Sequence, residues 1–439
     1  MTIQTRSVRL ITLSAIAFAA TACSVKLPAL PSSVRSTPTI AESATTAPVT
    51  STLPIATRAA PLTPIKPTGA MTLTLWTTED LAPGSSAAGK ILRNQFDAFT
   101  AANPNIHIET ILKKPYGKGG MLDFLTTTSE VVPDLLPDLA ALDISEVPQA
   151  ASAGLLQPLD PLLSSDVKGD FFPFAYQASM YHGKWVAVPF TADVEHLIYN
   201  KGIIKRVPPT WDDFLKQRST LLLPLAGDNA FLVQYLALAP LFDANGQLTF
   251  DENAASQVLS FLKRAHDLAL IPDSAIGLAS SDAAWSTFSA GKVAMIQGSA
   301  SSYLAQRAKL PNALYASMPT RDGKLAAVAS GWAFVVVTND PARQAAVAQF
   351  IQWIVQGEHL APWLRAANQL PASRSTLALA VEPVEYAAFL RDQMENASYL
   401  PPTAAYAKAS KAWRTATAAV LRGQTTPEEA ARSMSDALK

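Results

Sequence analysis

Cysteine is almost missing from this chain of 439 residues: Cys23 stands alone, so no disulfide can form within the molecule. Charge is also sparse, at 16% of residues, and 35 basic side chains are balanced by 35 acidic ones. A nucleic-acid surface needs an excess of positive charge on one face, so no nucleic-acid partner is expected. The five histidines, at 107, 182, 196, 266 and 359, have no metal-ligand spacing. G-x-S-x-G, P-loop and H-E-x-x-H patterns are absent as well, so no catalytic residue, metal or cofactor is assigned. The apolar run 10–20 spans roughly eleven residues, where a bilayer-spanning helix takes about 20.

That run follows Arg6 and Arg9 and leads through Ala20, Thr21 and Ala22 to Cys23. The order is that of a signal peptide, residues 1–22, and not of a retained span. Ala20-Thr21-Ala22-Cys23 resembles a bacterial lipobox, which implies lipidation of Cys23 and anchoring on the extracytoplasmic face of the cell membrane. An ordinary signal-peptidase site at the same small residues would instead leave a secreted protein. From 23 to 70 the composition turns to Pro, Ser, Thr and Ala without hydrophobic periodicity, the signature of a disordered tether. Extended, it would reach on the order of 140 Å.

The body that begins at Met71 is long enough for two lobes, and 49% hydrophobic residues suit it to bury cores. Thr72-Leu73-Thr74-Leu75-Trp76 is a run of strand formers, and Leu92, Phe96 and Phe99 follow at helical spacing. Asn103-Pro104-Asn105 breaks the helix before a second alternating strand, Ile106-His107-Ile108-Glu109. The opening is therefore a βαβ unit of an α/β protein with a parallel sheet. Ligands bind beyond the carboxyl ends of such strands, where Trp76, Thr77 and Thr78 fall. Asp143 closes the apolar run 137–143 in the same way.

The segment GKWVAVPFTADVEHLIYNK, followed by PPTWDDFL, resembles the extracellular solute-binding protein family 1, which supplies the sugar receptors of ABC importers and includes the maltose-binding type. LWTTED, NPNIHIE, PDLAALD with AGLLQPLD, FSAGKVAMIQGSAS, SGWAFVVVTND and QLPASRS stand in the same order as in that family and extend the resemblance over 71–439. It implies a clamshell of two lobes, each a β-sheet flanked by helices, joined by a multi-strand hinge with crossings near 187–197, 318–332 and 369–374. The lobes would be 71–190 plus 325–370 and 191–324 plus 371–439. A monomeric receptor would capture a saccharide in the interlobe cleft and hand it to ABC permease subunits. Another polar solute (polyol, polyamine or phosphodiester) is the alternative.

Sugars present hydroxyls at their edges and weakly polar C–H faces, so their sites combine aromatic plates with hydrogen-bonding side chains. The resemblance points to Trp76, Trp285 and Trp332 as plates, and the alternative for each is core packing. Asp143 and Glu195 are the candidate acids and Arg374 the candidate base. Gln297 and Ser299 fall just after the strand expected at 293–296, where a loop can meet ligand, a plain strand-to-helix turn being the alternative. Asp193 and Glu195, two apart on a strand, would lie about 6–7 Å apart on one face. A glycosidase needs its carboxyls on opposite sides of the scissile bond, so an enzyme is not expected.

Overall fold

A computed structural model describes residues 69–438 apart from 228, 230, 244–246 and 401–402. The expected signal peptide, the lipidated Cys23 and the tether up to residue 68 lie outside the described residues. Among those described, no helix is long and apolar enough to cross a membrane.

The βαβ opening forms as its pattern dictates. Strand β1 (Met71–Thr77) buries Leu73, Leu75, Trp76 and Thr77, and β2 (Ile106–Leu112) pairs parallel to it from Met71↔Ile106 to Thr77↔Leu112. Between them runs α1 (Ala87–Ala102), whose first turn is capped by the Ser86 hydroxyl accepting from the Gly89 N–H at 2.9 Å. Leu92, Phe96 and Phe99 line its buried stripe. Phe96 and Phe99 meet Phe350 edge-on, with centroids 5.0 and 5.2 Å apart, which pins α1 against the helix Pro341–Ile354. Phe99 is only 1% exposed, so truncating it to alanine would cost roughly 3–5 kcal/mol.

Strand β3 (Leu139–Asp143) is buried at every position, as a parallel strand covered on both faces must be. It lies between β1 and the antiparallel strand Trp332–Val336, and Val188–Pro189 completes this first sheet. Arg343 clamps one end, its guanidinium on Asp138 while Asp138 also accepts from the Thr74 N–H at 2.8 Å.

The second sheet is built around the long strand Thr191–Asn200. Met295–Ser299 pairs along one side of it, while Leu370–Pro371, Ala327–Ser330 and Ala313–Ala316 pair with successive parts of the strand. The two sheets are thus linked by three passages of the chain: from Pro189 to Thr191, from Ser330 to Trp332, and at Leu370–Pro371. Ala327–Ser330 belongs with the second sheet, and the return to the first occurs at Gly331.

Gly331 sits where two passages touch. A Cβ there would lie 2.2 Å from the Thr191 carbonyl oxygen, so only glycine lets the backbones meet. Hydrogen bonds lock the crossing on both sides. The Trp332 N–H donates to the Thr191 hydroxyl at 3.0 Å, the Phe190 N–H to the Trp332 carbonyl at 2.9 Å, and the Ile144 N–H to the Gly331 carbonyl at 2.9 Å.

Candidate ligand cleft

The carboxyl ends of β1 and β2 open onto a cavity of 620 Å³ lined by Thr78, Asp80, Lys113, Tyr116, Trp332 and Gln369. This is the position at which open α/β sheets take ligands. A depression of 410 Å³ elsewhere is lined by Phe171, Pro189 and Phe190 and by helix residues such as Gln352. It lacks that relation to the parallel strands.

The expected residues divide within this wall. Trp76 is 4% exposed, and one face of its ring is covered by the Lys113 ammonium, 4.1 Å from the centroid. Its Nε1 is buried with no partner among the described residues. Thr77 is buried too, its hydroxyl donating to the Leu81 carbonyl at 3.3 Å. These two support the wall from behind. Trp332, half-buried, lines the cavity itself and lies opposite Asp143 in strand register.

Asp143 is 8% exposed and fully engaged. One carboxylate oxygen accepts from the Ser145 N–H at 2.8 Å and the other from the Tyr116 hydroxyl at 2.7 Å. The Tyr116 ring in turn leans on Trp332, with centroids 5.8 Å apart and planes at 35°. Burial of the hydroxyl end, then the negative charge of Asp143, pushes the Tyr116 pKa up. Glu146, one turn beyond Asp143, has a buried Oε2 without a partner among the described residues. Burial, with Asp143 adding to it, raises its pKa to about 7.

The second sheet presents a polar edge around a cavity of 100 Å³ lined by Asp193, Glu195, Asn229, Ser299 and Ser330. Glu195 accepts from Ser281 Oγ at 2.8 Å and from the Gln297 side-chain amide. Asp193 accepts from the Ser301 hydroxyl and, at 3.2 Å, from the Ser301 N–H. Burial nevertheless lifts its pKa to about 6, against the pull of those hydrogen bonds. Ser299 caps the helix Ala300–Gln306, accepting from the Ser302 N–H at 3.2 Å. On the other face of the same strand His196 is enclosed with Tyr386 Oη 2.9 Å from its Nε2, and burial pushes its pKa down to about 4.

Glu195, Gln297 and Ser299 are therefore brought together, as are Asp143 and Trp332. Ser330 and Trp332 flank Gly331, so one continuous segment carries residues of both cavities. Trp285 is 8% exposed and packs edge-on against Phe288 beside Gly298, next to the second group. Arg374 stands apart. Its guanidinium pairs with Glu395, Nη2 to Oε2 at 2.9 Å, donates to the Phe171 carbonyl, and lies 5.4 Å from the Phe172 ring. Tyr116, Glu146, Ser281 and Asn229 were not anticipated. Tyr116 had a readable signal, since its glycine-rich loop directly follows the carboxyl end of β2.

The family model for bacterial extracellular solute-binding proteins matches residues 94–389. The chain belongs to this family. Solute-binding proteins of known structure share its fold: the cyclic α-maltosyl-1,6-maltose binding protein of Arthrobacter globiformis superposes with a TM-score of 0.71 at 22% identity, over 84% of this chain and 98% of that one. The sugar-binding protein MalE of Xanthomonas citri gives 0.70 at 20% identity, over 83% and 96%. The maltotriose-binding protein of Pyrococcus abyssi is 38% identical over 77 residues, which are 18% of this chain and 17% of that protein. The architecture of this solute-binding protein is accordingly the clamshell of two α/β lobes joined by several strands.

Proposed function

We propose that this solute-binding protein is the receptor of an ABC importer, which encloses a saccharide between its lobes and presents it to a membrane permease. The observation that carries this reading is the aromatic pair Tyr116–Trp332, which lines a cavity of 620 Å³ together with the carboxyls of Glu79 and Asp80 and is steadied from behind by Asp143. Aromatic faces match the C–H faces of a pyranose, and carboxyl groups match its hydroxyls. Relatives named for maltotriose and maltose-type sugars support the same reading.

In this scheme the lobes follow the two sheets, 71–190 plus 332–369 and 191–330 plus 370–439, which moves the expected boundary at 325 to Gly331 because Ala327–Ser330 and Leu370 pair with the long strand of the second sheet. The receptor acts as a monomer outside the cytoplasm, tethered through a lipidated Cys23. The test is thermal unfolding of the purified protein with mono- and oligosaccharides, polyols and polyamines. A ligand that binds only the native state stabilises it by RT ln(1 + [L]/Kd), about 2.7 kcal/mol at a hundredfold excess over Kd. A rise in midpoint with saccharides is the expected result. A rise with polyamines alone would sink the saccharide assignment and keep the receptor.

A further inference from the structure

The sequence points to Trp76 and Trp332 as aromatic plates of this wall, but Trp76 is buried behind it and loop 113–120 brings another ring against Trp332. Tyr116 is 53% exposed, unusual for an aromatic that makes a buried-type hydrogen bond. Both properties hold because opposite ends of the side chain meet different surroundings. The hydroxyl is drawn inward to Asp143 at 2.7 Å, while one ring face rests on Trp332 and the remaining surface opens to the cavity.

A sugar ring cannot enter between the two aromatics as they stand. Van der Waals contact needs about 3.5–4 Å on each side, so a sandwiched ring would require centroids roughly 7–8 Å apart, against the 5.8 Å found. Either the ligand stacks on the outward face of Tyr116, or Tyr116 must leave Trp332 first. The loop argues for the former. Its ends are joined by a bridge between Lys114 and Gly120, and Gly117 and Gly119 hold left-handed φ values of 73° and 75° that glycine alone adopts readily. Gly120 packs so closely beneath Tyr116 that a Cβ there would sit 2.5 Å from the Tyr116 carbonyl carbon. The backbone under Tyr116 is built tight, and its hydroxyl is anchored by an acid that the Ser145 N–H itself holds in place.

We propose that Tyr116 is the plate on which the ligand's ring stacks, that Trp332 backs it, and that Asp143 is a positioning residue that fixes the ring through its hydroxyl. The assignment rests on the saccharide reading above and deepens it. It selects cyclic sugars with a flat C–H face over acyclic polyols, which offer the same hydroxyls without a face. Asp80, Lys113 and Gln369, which line the same cavity, are then the groups that meet hydroxyls at the edge of the stacked ring. Pre-organisation by the Asp143 tether reduces the ordering cost of binding.

The test is titration calorimetry on the full-length protein with glucose, galactose, xylose, maltose, maltotriose and cellobiose, and with sorbitol and mannitol. Variants are then compared on the sugar that binds most tightly. Tyr116→Ala is expected to weaken binding at least tenfold, with an unfolding midpoint close to that of Tyr116→Phe because both lose the same hydrogen bond to Asp143 and the ring is no part of the core, while Trp332→Phe loses only a few-fold. Tyr116→Phe, which keeps the plate and loses the tether, should fall in between. Asp143→Ala should weaken binding when Tyr116 is present and add little in the Tyr116→Phe background, a coupling that a purely structural aspartate would not show. Unchanged or tighter binding by Tyr116→Ala would make Tyr116 a cover over Trp332 and overturn this assignment alone. Binding of sorbitol or mannitol but of no cyclic sugar, or of nothing in the panel, would overturn it together with the saccharide reading.

Discussion

At the scale of single residues, carboxyl groups are held in ways that composition does not reveal. Glu146 is the sharpest case. Its pKa, raised to about 7 by burial and by Asp143, means that the folded protein holds this proton more tightly than the unfolded chain does. The stabilisation linked to that proton is fully present below about pH 4.5 and is lost as the pH rises through 7. Glu146→Gln removes the cost of ionisation, so its unfolding midpoint should exceed that of the parent by roughly 1–2 °C at pH 8 and differ little at pH 5. A difference independent of pH would show that Glu146 is not charged at a cost. Comparing variant with parent cancels the opposing slope of His196, whose depressed pKa makes stability fall as the pH drops below about 6.5.

Single positions also show where sequence reasoning stops. Asp143 and Ser299 stand at strand ends, a position that periodicity makes legible and that suits ligand contact in α/β proteins, whereas Glu195 lies inside its strand and was a candidate through the family resemblance alone. Trp76 stands at such an end as well, yet Lys113, well along the chain, lies on its ring. Arg374 finds Glu395 and the Phe171 carbonyl through packing between helices. Neither partnership leaves a trace in local pattern, because each depends on how elements distant in sequence come to rest.

At the scale of elements, the junction of the strand Thr191–Asn200 with the passage through Gly331 is the tightest contact between the parts of the chain that link the two sheets. A methyl at Gly331 meets backbone, not a side chain that could rotate away. Gly331→Ala is therefore expected to destabilise by about 1–3 kcal/mol, the usual range for overpacking, read as a lowered denaturant midpoint. The same variant should weaken ligand binding, since Ser330 and Trp332 on either side line the two cavities. An unchanged midpoint would mean that the passages separate freely. The strands of the opening βαβ unit and the long crossing strand were readable from alternation and breakers. The three-way pairing around Thr191 was not, because antiparallel partners such as Leu370–Pro371 are only two residues long.

For the whole molecule, two lobes joined by strands permit closure by rotation about those strands, one of the established modes of ligand-coupled change. Saturation with the sugar identified by calorimetry is expected to lower the radius of gyration in small-angle X-ray scattering. An unchanged radius would assign binding to one lobe alone.

The returning strand has a further consequence, in the order in which the molecule can be assembled. Ala141 in the middle of β3 is paired with Phe334, about 190 positions further along, and every residue of β3 is buried. Until that distant partner arrives, one edge of the most deeply buried strand is open, and contacts of such long range form slowly. A nascent chain therefore has no finished sheet to fold early. The same discontinuity that shapes the cleft therefore also decides when the molecule becomes safe from pairing with other strands, since that edge stays open in any chain whose last third has not yet docked.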